Sequence, residues 1–346
     1  MNGRIVVPKS DLIRGIAWMG DRYSYPIEEI KGDTFPMTWA DDDEIYTASG
    51  DPSFGPSPMG LDVQKFSGMP PNYTIKQMNP MVDYDGPGGN GPKPSGMICV
   101  DGILYLAFQN LLGAQTPPHS LLSQHGSDAQ IVFATEKINF FIPSIKNIAS
   151  PMFPGHKFGG PAFINFGKNN ANARDSYVYA VSADQWDNGS NLRLGRVPND
   201  RIMRREAWEY VCAFMPSGEP IWHSDLEEAI PILSLHRWIS LPEMVYLAGI
   251  NRYLLLTWHM HTDFSAEDGS DLIIFEAPEP WGPFSLVHLE ENWEGDLTPY
   301  CPRLPLKWID SDGISGWLQF SGCWSNRCFQ SRYYRSHIRP FRLKMV

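Results

Sequence analysis

The chain has 346 residues, 42% hydrophobic and 19% charged, which is ample for a large core. A net charge of −11, from 39 acidic against 28 basic residues, makes the chain a poor candidate for general nucleic-acid or anionic-membrane binding, which needs clustered cations. With 30 Gly and 30 Pro, turns are frequent and long helices disfavoured, and no stretch approaches transmembrane length.

From the start, Met1–Pro8 lacks the apolar run of a secretory leader, so no compartment is implied, and a short strand is expected near Arg4–Val7. One pattern then recurs: an apolar strand, a tight polar turn and a second apolar strand. It appears as MTWADDDEIYTASGD from Met37, as SGMICVDGILYLAFQN from Ser95, and with a longer loop as PAFINFGKNNANARDSYVYAVSAD from Pro161. The fourth copy is LPEMVYLAGINRYLLLTWH from Leu241, and the fifth is LKWIDSDGISGWLQFSG from Leu306. Each has the alternation and Asp-Gly or Gly/Asn-rich turn of a β-hairpin. A propeller blade takes roughly 40–50 residues, more when its loops carry function. Five such hairpins therefore fill residues 1–346 as one all-β domain, a five-bladed β-propeller. Segments such as Ala129–Phe141 and Asp271–Leu289 supply further strands. A β-sandwich also has many short strands, but it does not predict similar hairpins at this wide spacing. A strand near His337–Met345 is expected to share a blade with the N-terminal one, removing a free edge.

The best helical segment is Asp200–Phe214, with Asp200 as N-cap and apolar residues at Ile202, Trp208, Val211 and Cys212. The C-terminal basic residues, Arg332, Arg335, Arg339, Arg342 and Lys344, alternate with apolar ones and read as one face of the final strand. Five cysteines, an odd count, argue against a complete disulfide framework; Cys323 and Cys328 flank a short loop and could pair in an oxidising compartment. The 12 Trp, 14 Tyr and 18 Phe suit strands, packed between sheets or set against sugar faces.

Candidate chemistry begins at the first hairpin. Its outer ends lie near Asp33 and Asp51, nearly equidistant from the Asp41–Glu44 turn, so antiparallel pairing would bring them to the same side. Paired carboxylates are what glycoside hydrolysis needs, one to protonate the leaving oxygen and one to activate water or attack. Equally, a Gly-Asp step is ordinary loop chemistry. The run Asp41–Asp43 reads as a solvated tip. In the third copy Asn165, Lys168, Asn169, Asn170, Asn172, Arg174 and Asp175 suit hydroxyl recognition, or form a hydrated loop with a local Arg174–Asp175 ion pair. Trp39, Lys93 and Lys307 are further candidates for the channel lining. His259, His261 and Asp263 stand at spacing two, but one strand rarely supplies a whole metal site, so no metal or other cofactor is expected. The SDGISGW turn at Ser311–Trp317 has the form of a structural hairpin motif of sialidase-like propellers.

The strings TFPMTWADDDEIYTASGD, KPSGMICVDGILYL, PAFINFGKNNANARDSYVYAVS, LGRVPNDRI, FEAPEPWGPF and LPLKWIDSDGISGWLQFSG together resemble the domain of unknown function 4185 family. The resemblance spans about Gly15 to Ser321 and rests on the number and order of these strings. It implies a five-bladed propeller. For some members it implies an endo-D-arabinanase, and it puts the catalytic aspartates around the first hairpin, where Asp33 and Asp51 fit by position. The reading is then a glycoside hydrolase acting on a furanose-containing polysaccharide such as D-arabinan. Asp33 would be general acid and Asp51 general base, or the reverse, with Lys168, Asn169, Arg174 and Asp175 orienting hydroxyls. A cell-surface or secreted setting follows only if that polymer is the substrate. The alternatives are a non-catalytic glycan-binding module and a metal-dependent hydrolase using His259 and His261. The partner is a polysaccharide or oligosaccharide, not nucleic acid or membrane; oligomeric state is left open.

Overall fold

A computed structural model describes residues 5–25, 32–50, 59–85, 92–110, 128–137, 151–263, 268–322 and 334–346. Strands β1 (Ile13–Trp18) and β2 (Tyr23–Ser24) precede the first blade, which holds β3 (Met37–Trp39), β4 (Ile45–Gly50), β5 (Met59–Met69) and β6 (Asn72–Asp85). The second blade is β7 (Lys93–Val100), β8 (Ile103–Gln109) and β9 (Gln130–Ala134). The third is the widest: β10 (Ala162–Phe163), β11 (Tyr177–Ala183), β12 (Gly189–Pro198), β13 (Glu209–Phe214) and β14 (Pro220–His223), with β15 (Leu233–Ile239) also pairing β12. The fourth is β16 (Glu243–Leu247), β17 (Arg252–Met260), β18 (Ser270–Ala277) and β19 (Ser285–Glu290). The fifth runs β20 (Tyr300–Arg303), β21 (Ser315–Ser321), β22 (Ser336–Met345) and then back to β1. The molecule is an all-β, five-bladed β-propeller.

Alternation along each strand explains why the sheets stack around an axis rather than lie as one layer. Both faces of most blades are apolar, and each apolar face packs on the next blade. Ala48 and Val63 meet Met97 and Leu106 between blades one and two, and Val181 and Leu194 meet Leu255 and Phe275 between blades three and four. Leu256 and Ile274 meet Leu318 and Phe341 between blades four and five, while Phe66 and Tyr73 meet Trp308 and Ile338 between one and five. Trp208, Trp258, Trp293 and Trp308 are fully buried, so these indoles fill gaps between sheets.

Four local expectations change. The chain-closing strand is Ile13–Trp18, pairing Met345 to Phe341, whereas residues 5–8 form no strand and Arg4 lies outside the described residues. Asp200–Phe214 is not helical: Arg205–Ala207 is a single 3-10 turn and Glu209–Phe214 is strand β13. Trp208 and Tyr210 pack toward blade two while Val211 packs toward blade four, which is period two. In the fifth copy Leu306–Trp308 is a 3-10 turn, and the strand pairing β21 is instead β20. The basic residues of β22 do not share a face: Arg342 ion-pairs Asp312, while Arg339 lies over the Trp18 ring and bonds Glu294. Cys323 and Cys328 lie outside the described residues; Cys99, Cys212 and Cys301 are free.

Candidate functional site

The innermost strands β3, β7, β10, β16 and β20 stand side by side around the axis, and a parallel bridge between Asn165 and Val245 ties two of them. Their starting ends gather Asp33, Lys93, Gly160, Ser240 and Tyr300 at one mouth of the propeller. Asp33 and Gly50 exchange two backbone hydrogen bonds, both 3.0 Å, so Asp33 extends the β3–β4 ladder. A Cβ on Gly50 would lie 2.6 Å from Asp33 Oδ1 and 3.1 Å from Lys93 Cδ. Glycine is therefore required for the carboxylate and the lysine stem to close over this backbone. Tyr300 donates its hydroxyl to Asp33 Oδ2 at 3.0 Å and packs edge-on to Trp186 within an aromatic cluster that includes Trp258. Asp33 is only 7% exposed and Lys93 5%.

The backbone after Asp33 is strained. Thr34 and Phe35 both have positive φ, 64° and 41°, and so does Cys301 at 49°, next to Tyr300. Left-handed conformations in bulky residues persist only where surroundings over-determine them, and they cluster at functional sites. Here Arg303 supplies the restraint. Its guanidinium, 1% exposed, donates from Nε to the Thr34 carbonyl at 2.8 Å and from Nη1 to the Pro242 carbonyl at 3.0 Å, beside Glu243.

The other sequence candidates do not join Asp33. Trp39, Lys168, Asn169 and Lys307 sit where the inner strands end, across the length of β3 and β7 from the Asp33 mouth. There Trp39 Nε1 donates to Asp43 at 3.0 Å, Lys168 ion-pairs Asp43 at 3.2 Å, and Lys307 bonds the Asp43 carbonyl. The hydrogen bonds from Trp39 and then Lys168 hold the Asp43 carboxyl below the usual range. The Asp41–Asp43 tip is thus tied down by its neighbours; Asp41 also ion-pairs Lys137 at 2.6 Å. Asn169 accepts from the Gly102 amide at 2.9 Å, clamping the β7–β8 turn. Arg174 pairs with Glu279 at 2.8 Å rather than with Asp175, which caps the Tyr177 amide and accepts from Tyr179. These groups form ties between neighbouring elements at the far end, away from Asp33. Asp312 of the SDGISGW turn is structural too, accepting from the Ile314 and Ser315 amides, which pulls its carboxyl down to about 2. Asp51 lies outside the described residues, next in the chain after Gly50.

The histidines do not converge on a metal position. His259 Nδ1 and His261 Nε2 each bond a different oxygen of Asp271, at 2.9 and 2.8 Å, and His259 stacks on Trp238. Asp263 turns instead to Arg237 and Asn188. No group of three or more His, Cys, Asp or Glu among the described residues is placed to hold a metal ion. Burial opposes charge on His261, but the bond and attraction to Asp271 prevail and raise its pKa. A raised folded-state pKa means its stabilising contribution is complete below the unfolded value, about 6.5, and is lost as pH rises through the folded one. Thermal unfolding of wild type should therefore fall between pH 6 and 8 relative to His261→Gln. Parallel profiles would refute this.

Tyr300 and Arg303 escaped the sequence reading, since neither belongs to a polar or acidic cluster in the chain, and Gly50 was legible only as part of a Gly-Asp turn step. The signal available was positional, because Tyr300 opens the fifth inner strand as Lys93 opens the second.

No family model matches the chain, and no curated protein matches it. Solved structures do. A candidate hydrolase from Bacteroides ovatus aligns at TM-score 0.54 and 11% identity over 98% of this chain and 97% of that one. The RS223 β-xylosidase aligns at TM-score 0.53 and 9% identity, covering 94% and 95%. A GH43_1 enzyme from Xanthomonas citri, complexed with xylose, aligns at TM-score 0.51 and 13% identity, covering 93% and 92%. At these identities the likeness is one of fold, a five-bladed propeller distantly resembling those of glycoside hydrolases.

Proposed function

We propose that the protein is a glycoside hydrolase acting on a furanose-containing polysaccharide such as D-arabinan, with Asp33 and Asp51 as its paired carboxyls. The observation that carries this reading is Asp33 itself. It is a buried carboxylate held at the mouth of the inner strands over an obligatory glycine, between Tyr300 and Lys93, on strained backbone. Structures of the Xanthomonas citri enzyme hold xylose and xylotriose, so this fold accommodates pentose-containing ligands elsewhere.

A phenol donating to Oδ2 favours the ionised form of the carboxyl, the form a base must start from. Asp33 is therefore assigned as the base that takes the proton of the attacking water, and Asp51 as the acid. Water oxygen bonds the anomeric carbon, the glycosidic bond breaks, and the leaving oxygen takes the proton from Asp51. In this reading Lys93, at the same mouth, would meet a hydroxyl of the bound sugar.

The test is product analysis after incubation with D-arabinan, plant L-arabinan and xylan. Oligosaccharides from D-arabinan are expected. Release from xylan alone would keep the hydrolase and overturn the substrate; release from none would favour a glycan-binding module.

A further inference from the structure

The interface between the first and last blades changes character along its length. Toward the far end it is apolar, with Ile45, Phe66 and Tyr73 against Trp308 and Ile338. Toward the Asp33 mouth the same faces turn polar. On β4 and β5, Thr47 stands opposite Gln64 and Ser49 opposite Asp62; these positions continue the faces of Ile45 and Phe66 at period two. On β21 and β22, Gln319 stands opposite Ile338 and Ser321 opposite Ser336. Ser321 pairs with Tyr300 and Ser49 precedes Gly50, so both polar faces reach the same level of the propeller. Tyr73 of β6 packs on Trp308 across the gap, ring centroids 5.2 Å apart, and its hydroxyl is left without a hydrogen-bond partner.

Within this layer Thr47 Oγ1, Asp62 Oδ1, Gln64 Oε1, Gln319 Oε1 and Ser321 Oγ have no hydrogen-bond partner, and each residue is at most 1% exposed. All five atoms are oxygens. The amide nitrogens are already committed: Gln64 Nε2 donates to Ser49 at 2.7 Å and to Asp62 Oδ2 at 3.2 Å, and Gln319 Nε2 donates to Ser336 at 3.3 Å. Both glutamine oxygens are left without a donor. Buried polar atoms are rarely left unpaired, and here a carboxylate oxygen, two amide oxygens and two hydroxyls, each able to turn a lone pair to a cation, are left so together.

We propose that this layer binds a hard, oxygen-liganded cation of the Na⁺ or Ca²⁺ kind, held by Asp62, Gln64, Thr47, Gln319 and Ser321. Oxygen-only donors select hard cations over zinc or copper. A single carboxylate among neutral oxygens suits a site completed by water. The ion cross-links the first blade to the last, beneath the Gly32–Asp33 turn, whose Gly32 lies against Ser49. The site is independent of the hydrolase reading, and its test uses no activity.

Full-length protein is dialysed into choline chloride, analysed for bound sodium and calcium, and unfolded thermally with NaCl or CaCl₂ added at constant ionic strength. One of the two salts is expected to raise Tm by about 5 °C when it reaches ~100 times its Kd. Asp62→Asn should abolish the rise, and Gln319→Met should reduce it. Gln319→Met keeps the interface filled, so the test survives a failure of Asp62→Asn to fold. No rise with either salt and no bound ion would overturn the proposal in favour of buried water. A rise unchanged in the variants would place the ion elsewhere and overturn it as well.

Discussion

Asp33→Asn is expected to lower polysaccharide hydrolysis by about 10²–10⁴-fold, the range for loss of a general acid or base. The substitution is nearly isosteric. An asparagine oxygen still accepts from Tyr300, and the two backbone bonds to Gly50 do not involve the side chain. Folding should therefore survive, with thermal unfolding within a few degrees of wild type. Since the lost group acts in the transition state, kcat should fall more than KM changes. Lys168→Ala and Lys307→Ala are the controls. Both residues bond Asp43 at the opposite end of the propeller, so their rates should stay within about twofold of wild type under the same assay. A rate for Asp33→Asn within threefold of wild type would remove Asp33 from the chemistry.

Arg303→Met should be the most destabilising single change near the axis. The guanidinium is fully buried, and it joins three blades by bonding the Thr34 and Pro242 carbonyls and lying 3.4 Å from Glu243. Glu243 is buried as well and bonds the Leu304 amide at 2.8 Å. Desolvation raises the Glu243 carboxyl's pKa, opposed chiefly by Arg303. Removing the arginine leaves that charge without its counter-ion and releases the strained Thr34 backbone. Breaking one side of a buried pair costs about 3–5 kcal/mol. Urea denaturation should show that loss for Arg303→Met, and Arg303→Met with Glu243→Gln should recover part of it, since the second change removes the stranded charge. A loss below about 1 kcal/mol would show that the pair holds nothing together, and an additive double variant would show that the two residues do not couple.

The five-bladed architecture was legible in the chain because its signals are local. MTWADDDEIYTASGD and SGMICVDGILYLAFQN carry period-two alternation around a turn, and β3–β4 and β7–β8 form there with the turns at Asp41–Glu44 and Asp101–Gly102. Where two periods compete, local signals fail. Ile202, Trp208, Val211 and Cys212 fit a helical spacing, while Trp208, Tyr210 and Val211 fit a strand, and pairing with β12 and β14 decides for the strand.

Residue order by itself determined the repeat, the sheet class and the candidacy of Asp33, since alternation and turn residues act over a few positions. Only the tertiary structure decided which end of the propeller each loop occupies. The β4 partners of Trp39 and Asp33, Ile45 and Gly50, lie at opposite ends of that strand, roughly 17 Å apart at about 3.3 Å per residue, so Asp33 and Trp39 face opposite mouths. The same ring closure brings Tyr300 to Asp33 and Arg303 to Thr34 across more than 260 positions of chain. It also lays an oxygen-rich face of the last blade against one of the first. Contacts of that range are set by how blades pack, and no pattern within a hairpin encodes them.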